Sequence, residues 1–384
     1  MKVGIFTDTY SPQTNGVVTS VKIYAEQLRL LGHEVHIFAP ALAGSGPDPE
    51  RVYRFYGISY FGQPEYKWVL PWAKGGFRQR DIPALGLDII HIQAPFGLGL
   101  MGAHLARKYS IPAVFTYHTF FEPYLHYLPG PRWFYFRLHK NLTRLWSNRF
   151  PIVLCPTLPI KDALLRYGIT SRIELLPTGI DLHNMKPSGW QARSELGIPE
   201  GVPLFATAGR LGREKSFDLL LKAMREARSR VPDAHLVVAG DGPERDSLVQ
   251  LAADLGLKER VHFTGYLARE RVIDLFAASQ LFVFASQSET QGMVLLEAMA
   301  QGTPAVAVDA LGPGELMRGD RGGLLAEPEA QDLADKIARL ATDGALRAEK
   351  SREALAKAEE YSAERLAKKL VRFYQLAIAS SNRA

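Results

Sequence analysis

The chain has 384 residues, 47% hydrophobic and 22% charged, which is ordinary for a soluble α/β protein and long enough for two domains. A single cysteine, Cys155, excludes a disulfide framework and any metal site built from several cysteines. The net charge of +6 is uneven, since residues 1–184 hold 19 Lys and Arg against 12 Asp and Glu while the remainder holds 27 against 28, so the first half should face an anionic partner.

Strands and helices alternate along the first half. The opening strand, KVGIFT, ends near Asp8 and is too short for a signal peptide. A helical pattern, TSVKIYAEQLRLLG, follows and is closed by Gly32. Further apolar runs predict strands at HEVHIFAP, DIIHIQ, AVFTYHT and IVLCPT. No uncharged apolar run is long enough to span a membrane, and we expect a cytoplasmic protein.

The second half repeats the pattern. Strands are predicted at LFATAG, AHLVVAGDG, RVHFTGY, LFVFAS and PAVAVDA, and helices near 216–230, 243–255, 269–279, 292–302 and 346–378. A Pro-, Gly- and Asn-rich stretch around 176–189 predicts a hinge. We therefore predict two doubly wound, Rossmann-like domains, residues 1–180 and 181–360, with a helix in 361–384 that returns to the first domain. Such sheets bind ligands at their carboxyl edges, here in a cleft between the domains.

One glycine motif is a false signal. FGLGLMG, residues 96–102, matches the dinucleotide fingerprint, but it follows the third strand, and the next strand ends at Tyr117-His118, where an acidic ribose ligand would be needed. We interpret these glycines as allowing close packing of helix on strand.

Two strand ends could hold an anion. After the first strand, Asn15 and Gly16 predict a tight turn, and the amides from Val17 onward begin a helix. In AGRLGREKS, Arg210 and Lys215 stand beside another helix start, which suits a diphosphate, although a solvated loop is the alternative.

Three more strand-end segments complete the pattern. Glycine turns in GDGPERDSL and HFTGY could let a flat base lie against the backbone at Gly240, Gly265 and Tyr266. In SETQGMVLLEAMAQGTP, Gly292 allows close approach of a ligand to the amides of Met293 and Val294. Burial of unpaired carboxylates is costly, so Glu289 and Glu297 are candidates for binding sugar hydroxyls and a ribose diol. The alternative is that Glu289 caps the helix and Glu297 lies at its solvated edge.

These residues resemble a known family. Arg210, Lys215, the Glu289-x7-Glu297 segment with Gly292, and the Asn15-Gly16 turn look like the retaining GT-B nucleotide-sugar glycosyltransferases of family 4, which include bacterial phosphatidylinositol mannosyltransferases. The likeness covers nearly the whole chain. Within the family, TDTYSPQTNGVVTSV and TYHTFFEPYLHY look most like the enzymes that glycosylate diacylglycerol.

The resemblance implies roles for single residues. His118 would contact the donor sugar near the anomeric centre, although a lone histidine after a buried strand is more often structural. Arg210 and Lys215 would neutralise the departing diphosphate, Glu289 would hold sugar hydroxyls and Glu297 the ribose. The donor would be a UDP- or GDP-hexose, transferred with retention. No cofactor would be bound permanently, and no metal would be required.

The segment from Pro123 to Lys161 contains no Asp or Glu. On a helix over 131–147, we expect one stripe to pack on the domain: Phe134, Leu138, Leu142 and Leu145. The opposite face should carry Arg132, Arg137, Lys140 and Arg144 with Trp133 and Phe136, a mixture that suits a helix at a membrane surface. Glu122 and Tyr124 precede it on the acceptor side, and EYKWVLPWAKGGFRQR, residues 65–80, repeats the mixture in a predicted loop. Ordinary packing is the alternative, and no motif supports nucleic acid.

The resulting hypothesis is a peripheral enzyme on the inner face of the cell membrane that moves a hexose, glucose in particular, from a nucleotide sugar to a lipid such as diacylglycerol. Three rivals remain: a transferase for a soluble sugar or metabolite, a GT-B epimerase or phosphorylase, and a non-catalytic nucleotide-sugar sensor.

Overall fold

The computed structural model describes residues 1–13, 15–42, 50–60, 63–69, 79–118 and 131–381. The chain divides into two compact units. Unit 1 comprises Met1–Gly179 together with Ala363–Ala384, and unit 2 comprises Ile180–Ser362. The chain therefore leaves unit 1 once and returns to it at the end.

In unit 1, up to its exit, strands and helices alternate as the sequence predicts, except that five strands follow one another between residues 34 and 92 with no α-helix among the described residues there. They are β1 (Lys2–Phe6), α1 (Gly16–Leu30), β2 (Glu34–Pro40), β3 (Val52–Phe55), β4 (Gly57–Tyr60), β5 (Gln63–Val69), β6 (Ile89–Ile92), α2 (Gly97–Lys108), β7 (Ala113–Thr116), α3 (Arg132–Ser147), β8 (Ile152–Cys155), α4 (Leu158–Arg166) and β9 (Arg172–Leu175). A 3-10 segment, Gln79–Leu85, precedes β6.

Seven strands of unit 1 form one parallel sheet in the order β3-β2-β1-β6-β7-β8-β9. The strands β4 and β5 form a separate antiparallel pair. The prediction that residues 65–80 are a loop is therefore wrong for residues 65–69, which lie in β5, and residues 70–78 lie outside the described residues. The short strands β3 and β9 were not predicted, because each contains charged residues that hide the apolar pattern.

Unit 2 repeats the alternation. Its elements are α5 (Ala192–Glu195), β10 (Leu204–Ala208), α6 (Phe217–Ala227), β11 (His235–Ala239), α7 (Arg245–Asp254), β12 (Val261–Gly265), α8 (Arg269–Ala278), β13 (Leu281–Phe284), α9 (Met293–Met299), β14 (Ala305–Val308), α10 (Leu311–Leu316), β15 (Gly323–Ala326), α11 (Ala330–Thr342) and α12 (Gly344–Glu360). Six strands form a parallel sheet in the order β12-β11-β10-β13-β14-β15.

The sheet of unit 2 is buried on both faces, which explains why its strands are continuously apolar. Successive side chains of a strand point to opposite faces. Phe205 accordingly joins a core cluster with α6 and α11, whereas its neighbours Leu204 and Ala206 join a second cluster with α8, α9 and α12. This layered arrangement confirms the prediction of two doubly wound α/β domains.

The closing helix predicted over 346–378 is two helices. α12 ends at Glu360 and α13 (Ala363–Ser381) begins three residues later. At the break, Ile180 donates its amide to the carbonyl of Tyr361. α13 packs against α1 and β7 in unit 1, where the Tyr374 hydroxyl lies 2.7 Å from Nδ1 of His91. Nε2 of His91 lies 2.6 Å from the Thr116 hydroxyl, and burial lowers the pKa of His91 to about 3.

The glycines of FGLGLMG serve close packing, which confirms that interpretation. A Cβ at Gly99 would lie 1.7 Å from the carbonyl oxygen of Ala94, and one at Gly102 would lie 2.8 Å from the Phe6 ring. α2 can therefore approach β1 and β6 only with glycine at these positions.

A buried carboxylate fixes the start of unit 2. Asp274 on α8 accepts hydrogen bonds from the amides of Ser188, Gly189 and Trp190 at 2.7, 3.0 and 3.1 Å, and from the Ser188 hydroxyl. Burial raises the pKa of Asp274, but these hydrogen bonds outweigh it and hold the pKa below its ordinary value. The ionised carboxylate thus anchors the segment that follows the unit boundary.

We expect Asp274→Ala to lower the free energy of unfolding by about 2–4 kcal/mol, because three backbone amides lose a charged acceptor. The folded-state pKa is depressed, so this stabilisation is present above about pH 4 and is lost as the pH falls through the folded value. Urea unfolding at pH 7 and at lower pH measures both effects. The control is Asp218→Ala, which removes an exposed i,i+4 pair with Lys222 and should change stability by less than about 0.5 kcal/mol. Equal effects of the two substitutions would contradict the anchoring role.

Candidate active site

Several candidate residues lie beside strands where the strand order reverses, and others follow the neighbouring strands β7, β11 and β12. In unit 2 the reversal falls between β10 and β13, and in unit 1 between β1 and β6. The connections that leave two such strands run to opposite faces of the sheet, which opens a crevice at the carboxyl edge. The loops at these positions are the favoured ligand-binding places of a doubly wound sheet.

The loops after β10 and β13 carry a cation paired with a carboxylate. Lys215 ends the 3-10 turn Arg213–Lys215, and its Nζ lies 2.6 Å from Oε2 of Glu289, with each side chain 22% exposed. The Ser288 hydroxyl donates to the carbonyl of Glu214 at 2.9 Å and ties the same two loops together. Glu289 is therefore neither a helix cap nor a stranded charge.

Arg210 differs from Lys215. It follows β10 after one residue, Gly209, is exposed, and forms no ion pair with any residue in the described ranges. Its guanidinium is thus available to an anionic ligand, beside a lysine whose charge is already balanced.

The second glutamate is also paired. Glu297 lies on α9 with its side chain 18% exposed, and its Oε1 lies 3.1 Å from Nη2 of Arg269 at the start of α8. Burial raises the pKa of Glu297, and the charge of Arg269 opposes that rise only in part. Arg269 was not identified from the sequence, because no motif links it to a glutamate 28 positions away.

The start of α9 is as the sequence predicts. Gly292 is the N-cap in the left-handed region, with φ of 83°, and no side chain caps the helix. The amides of Met293 and Val294 lie in its first turn. Gly265 also has a positive φ, of 69°, with open space where a Cβ would stand, and Tyr266 after it is 80% exposed.

The backbone at Gly240 is packed too closely by neighbouring backbone to leave the open turn that was predicted to accept a base. A Cβ there would lie 2.0 Å from the carbonyl oxygen of Gly209, and the amide of Leu211 donates to the carbonyl of Asp241 at 3.0 Å. Gly240 therefore allows the loop after β11 to pack against the loop that carries Arg210. Gly240 would therefore influence a ligand indirectly, by positioning the loop that carries Arg210.

In unit 1, Asn15 has the expected capping position. Its side chain accepts from the amide of Val18 at 3.0 Å, and α1 begins at Gly16. Gly16 is exposed, with open space where a Cβ would stand, and Val17 is half-buried. The first turn of α1 thus remains accessible.

Asp8 is a feature that the sequence reasoning missed. It follows β1 and accepts from the amides of Leu98 and Gly99 at 2.9 and 3.4 Å. No side chain at the N-cap of α2 caps the helix, so Asp8, in the loop after β1, supplies the cap. Burial raises its pKa to about 6, against the lowering effect of the two amides. The signal was a lone carboxylate at the end of a buried strand.

His118 lies at the carboxyl end of β7, and its Nε2 is 2.6 Å from Oε1 of Gln93, which follows β6. Burial lowers the pKa of His118 to about 4, so the ring is neutral at physiological pH. Gln93 was also missed, although it is the polar residue that ends the apolar run DIIHIQ.

The predicted orientation of α3 is wrong. Thr143, Trp146 and Ser147 are buried, and Trp146 packs edge-on against Phe115. The apolar stripe expected to pack is instead 45–61% exposed: Phe134, Leu138, Leu142 and Leu145. A large aromatic residue and small polar residues fit the sheet better than the leucine stripe, so periodicity alone chose the wrong face.

The cationic and aromatic side chains of α3 differ in their exposure to solvent. Arg137 and Arg144 are exposed, Lys140 is half-buried, and Trp133 is 68% exposed. The prediction that Phe136 lies on the exposed face is only partly right, because its ring packs edge-on against Tyr167 with centroids 6.1 Å apart. The side chain of Arg132 and the residues Glu122 and Tyr124 lie outside what the structure describes.

The described residues offer neither a metal-binding cluster nor a membrane-spanning helix. No group of three or more His, Cys, Asp or Glu side chains is placed to hold a metal ion. No helix is long and apolar enough to cross a bilayer.

Comparison with known proteins identifies the family. Residues 14–184 match the model "Glycosyltransferase Family 4", and residues 189–362 match "Glycosyl transferases group 1". The chain is 33% identical over 400 residues to the alpha-monoglucosyldiacylglycerol synthase of Streptococcus pneumoniae, covering all of this chain and 87% of the relative. It is 31% identical over 341 residues to the GDP-mannose-dependent alpha-mannosyltransferase of Mycobacterium tuberculosis, covering 85% and 83% of the two chains.

The fold also matches solved structures. Anabaena Alr3699/HepE, solved in complex with UDP and glucose, superposes with a TM-score of 0.74 at 21% identity, over 98% of this chain and 99% of that one. The sucrose-phosphate synthase of Thermosynechococcus elongatus gives 0.75 at 20% identity, over 99% of each chain. The two parallel-sheet domains and these structural neighbours show the GT-B fold. With its two matching family models, the chain belongs to the glycosyltransferases, with a family 4 first domain and a group 1 second domain.

Proposed function

We propose that this glycosyltransferase transfers glucose from UDP-glucose to diacylglycerol at an anionic membrane surface, with retention of anomeric configuration. The observation that carries the proposal is the similarity, over the whole chain, to a protein named alpha-monoglucosyldiacylglycerol synthase. A second protein of that name, from Acholeplasma laidlawii, is 28% identical over 80% of this chain.

The charges of unit 2 suit the leaving group. Cleavage of a glycosyl–phosphate bond builds negative charge on the departing diphosphate, which preorganised cations stabilise most strongly in the transition state. Arg210 offers an exposed guanidinium, and Lys215 a second cation. Without a donor, Glu289 balances Lys215. With a donor bound, the diphosphate can take over that balance and free Glu289 to accept hydrogen bonds from sugar hydroxyls.

The ribose and the base have separate candidates. Glu297, held by Arg269, is a carboxylate suited to a ribose diol. Gly265 and Tyr266 offer open backbone and an exposed ring for a base. The amides at Gly16, Met293 and Val294 are the proposed diphosphate donors, and no cofactor or metal enters the proposal.

The exposed side chains of α3 support the proposal that the protein binds a membrane surface. The apolar stripe of Phe134, Leu138, Leu142 and Leu145 lies beside Arg137 and Arg144, so α3 presents apolar and cationic side chains to solvent together. Such a helix can bury its apolar stripe at the acyl boundary while its cations meet anionic headgroups.

The second candidate is a mannosyltransferase that uses GDP-mannose as its donor. The observation that favours this candidate is the 31% identity, over 85% of the chain, to a GDP-mannose-dependent alpha-mannosyltransferase.

The first experiment separates these candidates. We expect wild-type protein to form a glucolipid from UDP-glucose in phosphatidylglycerol vesicles that contain diacylglycerol, and to be inactive with GDP-mannose. Thin-layer chromatography with labelled donors measures the product. Transfer from GDP-mannose, or to soluble acceptors without vesicles, would contradict the proposal. Release of free UDP without any acceptor would favour an epimerase, and no turnover with any donor would favour a sensor.

We expect Arg210→Ala and Lys215→Ala each to lower kcat about 100- to 1,000-fold, because each removes a stabilising cation worth about 2.7–4 kcal/mol from the transition state. UDP release from UDP-glucose measures the rate. Lys222→Ala is the matched control, since Lys222 pairs with Asp218 on the exposed side of α6, and its rate should be unchanged. A loss below threefold in both site variants would contradict their assignment to the leaving group.

We expect Arg137→Ser with Arg144→Ser to weaken binding to phosphatidylglycerol vesicles about 30-fold, from about 1 kcal/mol per cation near the surface. Leu138→Ser with Leu145→Ser should weaken it at least as much, through lost apolar burial. Vesicle sedimentation at low salt measures the binding. Leu30→Ser is the control, because Leu30 is a 74% exposed leucine on another helix. If α3 variants bind as the wild type does, α3 is not the membrane contact.

A further inference from the structure

Two neighbouring strands of unit 1 carry matched polar pairs. β6 and β7 are parallel, with His91 opposite Val114 and Ile92 opposite Phe115. Alternate residues share a face, which places His91 with Gln93 and Thr116 with His118. Hydrogen bonds of 2.6 Å join His91 to Thr116 and Gln93 to His118. The second pair lies beyond the strand ends, at the carboxyl edge.

The chemistry of the Gln93–His118 contact fixes the direction of its hydrogen bond. Oε1 of Gln93 is an amide carbonyl oxygen and can only accept, so Nε2 of His118 carries the proton. In the neutral ring, Nδ1 then has a lone pair. No residue in the described part of the chain forms a hydrogen bond with Nδ1.

Gln93 is itself held rigidly. It is 5% exposed, and its backbone N–H donates to the carbonyl of Phe6 on β1 at 2.9 Å, beside the reversal of strand order. The sheet therefore fixes the backbone of Gln93, and burial confines the side chain whose Oε1 accepts from His118.

We propose that Gln93 is a positioning residue that acts through His118: it holds the ring in the Nε2–H tautomer and so presents the Nδ1 lone pair as the acceptor for a hydroxyl of the donor sugar. The positioning rests on the geometry of unit 1 alone. The sugar contact rests on the proposed function.

A neutral amide suits this role better than a carboxylate. Burial already lowers the pKa of His118 to about 4, and glutamine adds no charge to reverse that. A glutamate at position 93 would favour the imidazolium, which has protons on both nitrogens and no acceptor.

The first test needs no substrate. Nitrogen NMR of the full-length protein with labelled histidine reports the tautomer and the titration of His118, whose signals are assigned by their loss in His118→Asn. We expect the Nε2–H tautomer in the wild type, with no protonation above pH 5. In Gln93→Glu the pKa of His118 should rise by about 1–3 pH units. In Gln93→Leu the tautomer should no longer be fixed. An Nδ1–H tautomer in the wild type, or an unchanged titration in Gln93→Glu, would overturn the proposal.

The second test measures kcat against pH with UDP-glucose and diacylglycerol in phosphatidylglycerol vesicles. In Gln93→Glu, kcat should fall as the pH drops through the raised pKa of His118, whereas the wild type shows no such fall above pH 6. In the His118→Asn background the same substitution should change kcat less than twofold. Thr116→Val is the control, because it removes only the His91 contact and should leave the pH profile unchanged. A pH profile for Gln93→Glu that matches the wild type would overturn the sugar contact.

The two tests decide separate claims, so failure of one does not imply failure of the other. A wild type without turnover contradicts the proposed function, while the NMR spectra still decide whether Gln93 positions His118.

Discussion

The parallel arrangement of the strands is the constraint on which the rest of the molecule depends. Parallel strands bring all their carboxyl ends to one edge, and each sheet reverses its strand order once, between β1 and β6 or between β10 and β13. Loops that are far apart in sequence thereby become neighbours, as the contact between Lys215 and Glu289 shows. Most candidate residues of each unit therefore lie at the carboxyl edge of its parallel sheet, and the helices mainly cover the two faces of that sheet.

Ion pairing explains how an apolar segment accommodates two glutamates. Glu289 meets Lys215 and Glu297 meets Arg269, so neither carboxylate is buried alone. Both pairs join α9 or the loop before it to another element of unit 2. A partly buried pair of this kind can exchange one partner for a charged ligand at a smaller penalty than a newly buried charge would require. Unit 1 uses neutral groups instead, since burial keeps His91 and His118 uncharged.

The sequence predicted the layers and the loops that carry the candidate residues of unit 2, because buried parallel strands are continuously apolar and their end residues fall in recognisable loops. It could not predict Asp8, Gln93 or Arg269, whose partners lie on other elements and become near only through strand order. The stripe on α3 shows a different limit. Periodicity identifies an apolar face, but whether the sheet or the solvent meets that face depends on the shape of residues such as Trp146 and Phe115. The break between α12 and α13 was hidden because the helical pattern continues through it.

The return of α13 to unit 1 has a consequence for biosynthesis. Tyr374 is fully buried against His91, and Phe373 and Leu370 are buried beside it, so part of the unit 1 core comes from residues translated after all of unit 2. Unit 2 is continuous and can complete its core before α13 has left the ribosome. Unit 1 cannot, although β1 is translated before any residue of unit 2. The usual order, in which N-terminal domains fold earliest, is therefore reversed here, and a nascent chain must hold an open apolar surface until α13 is released.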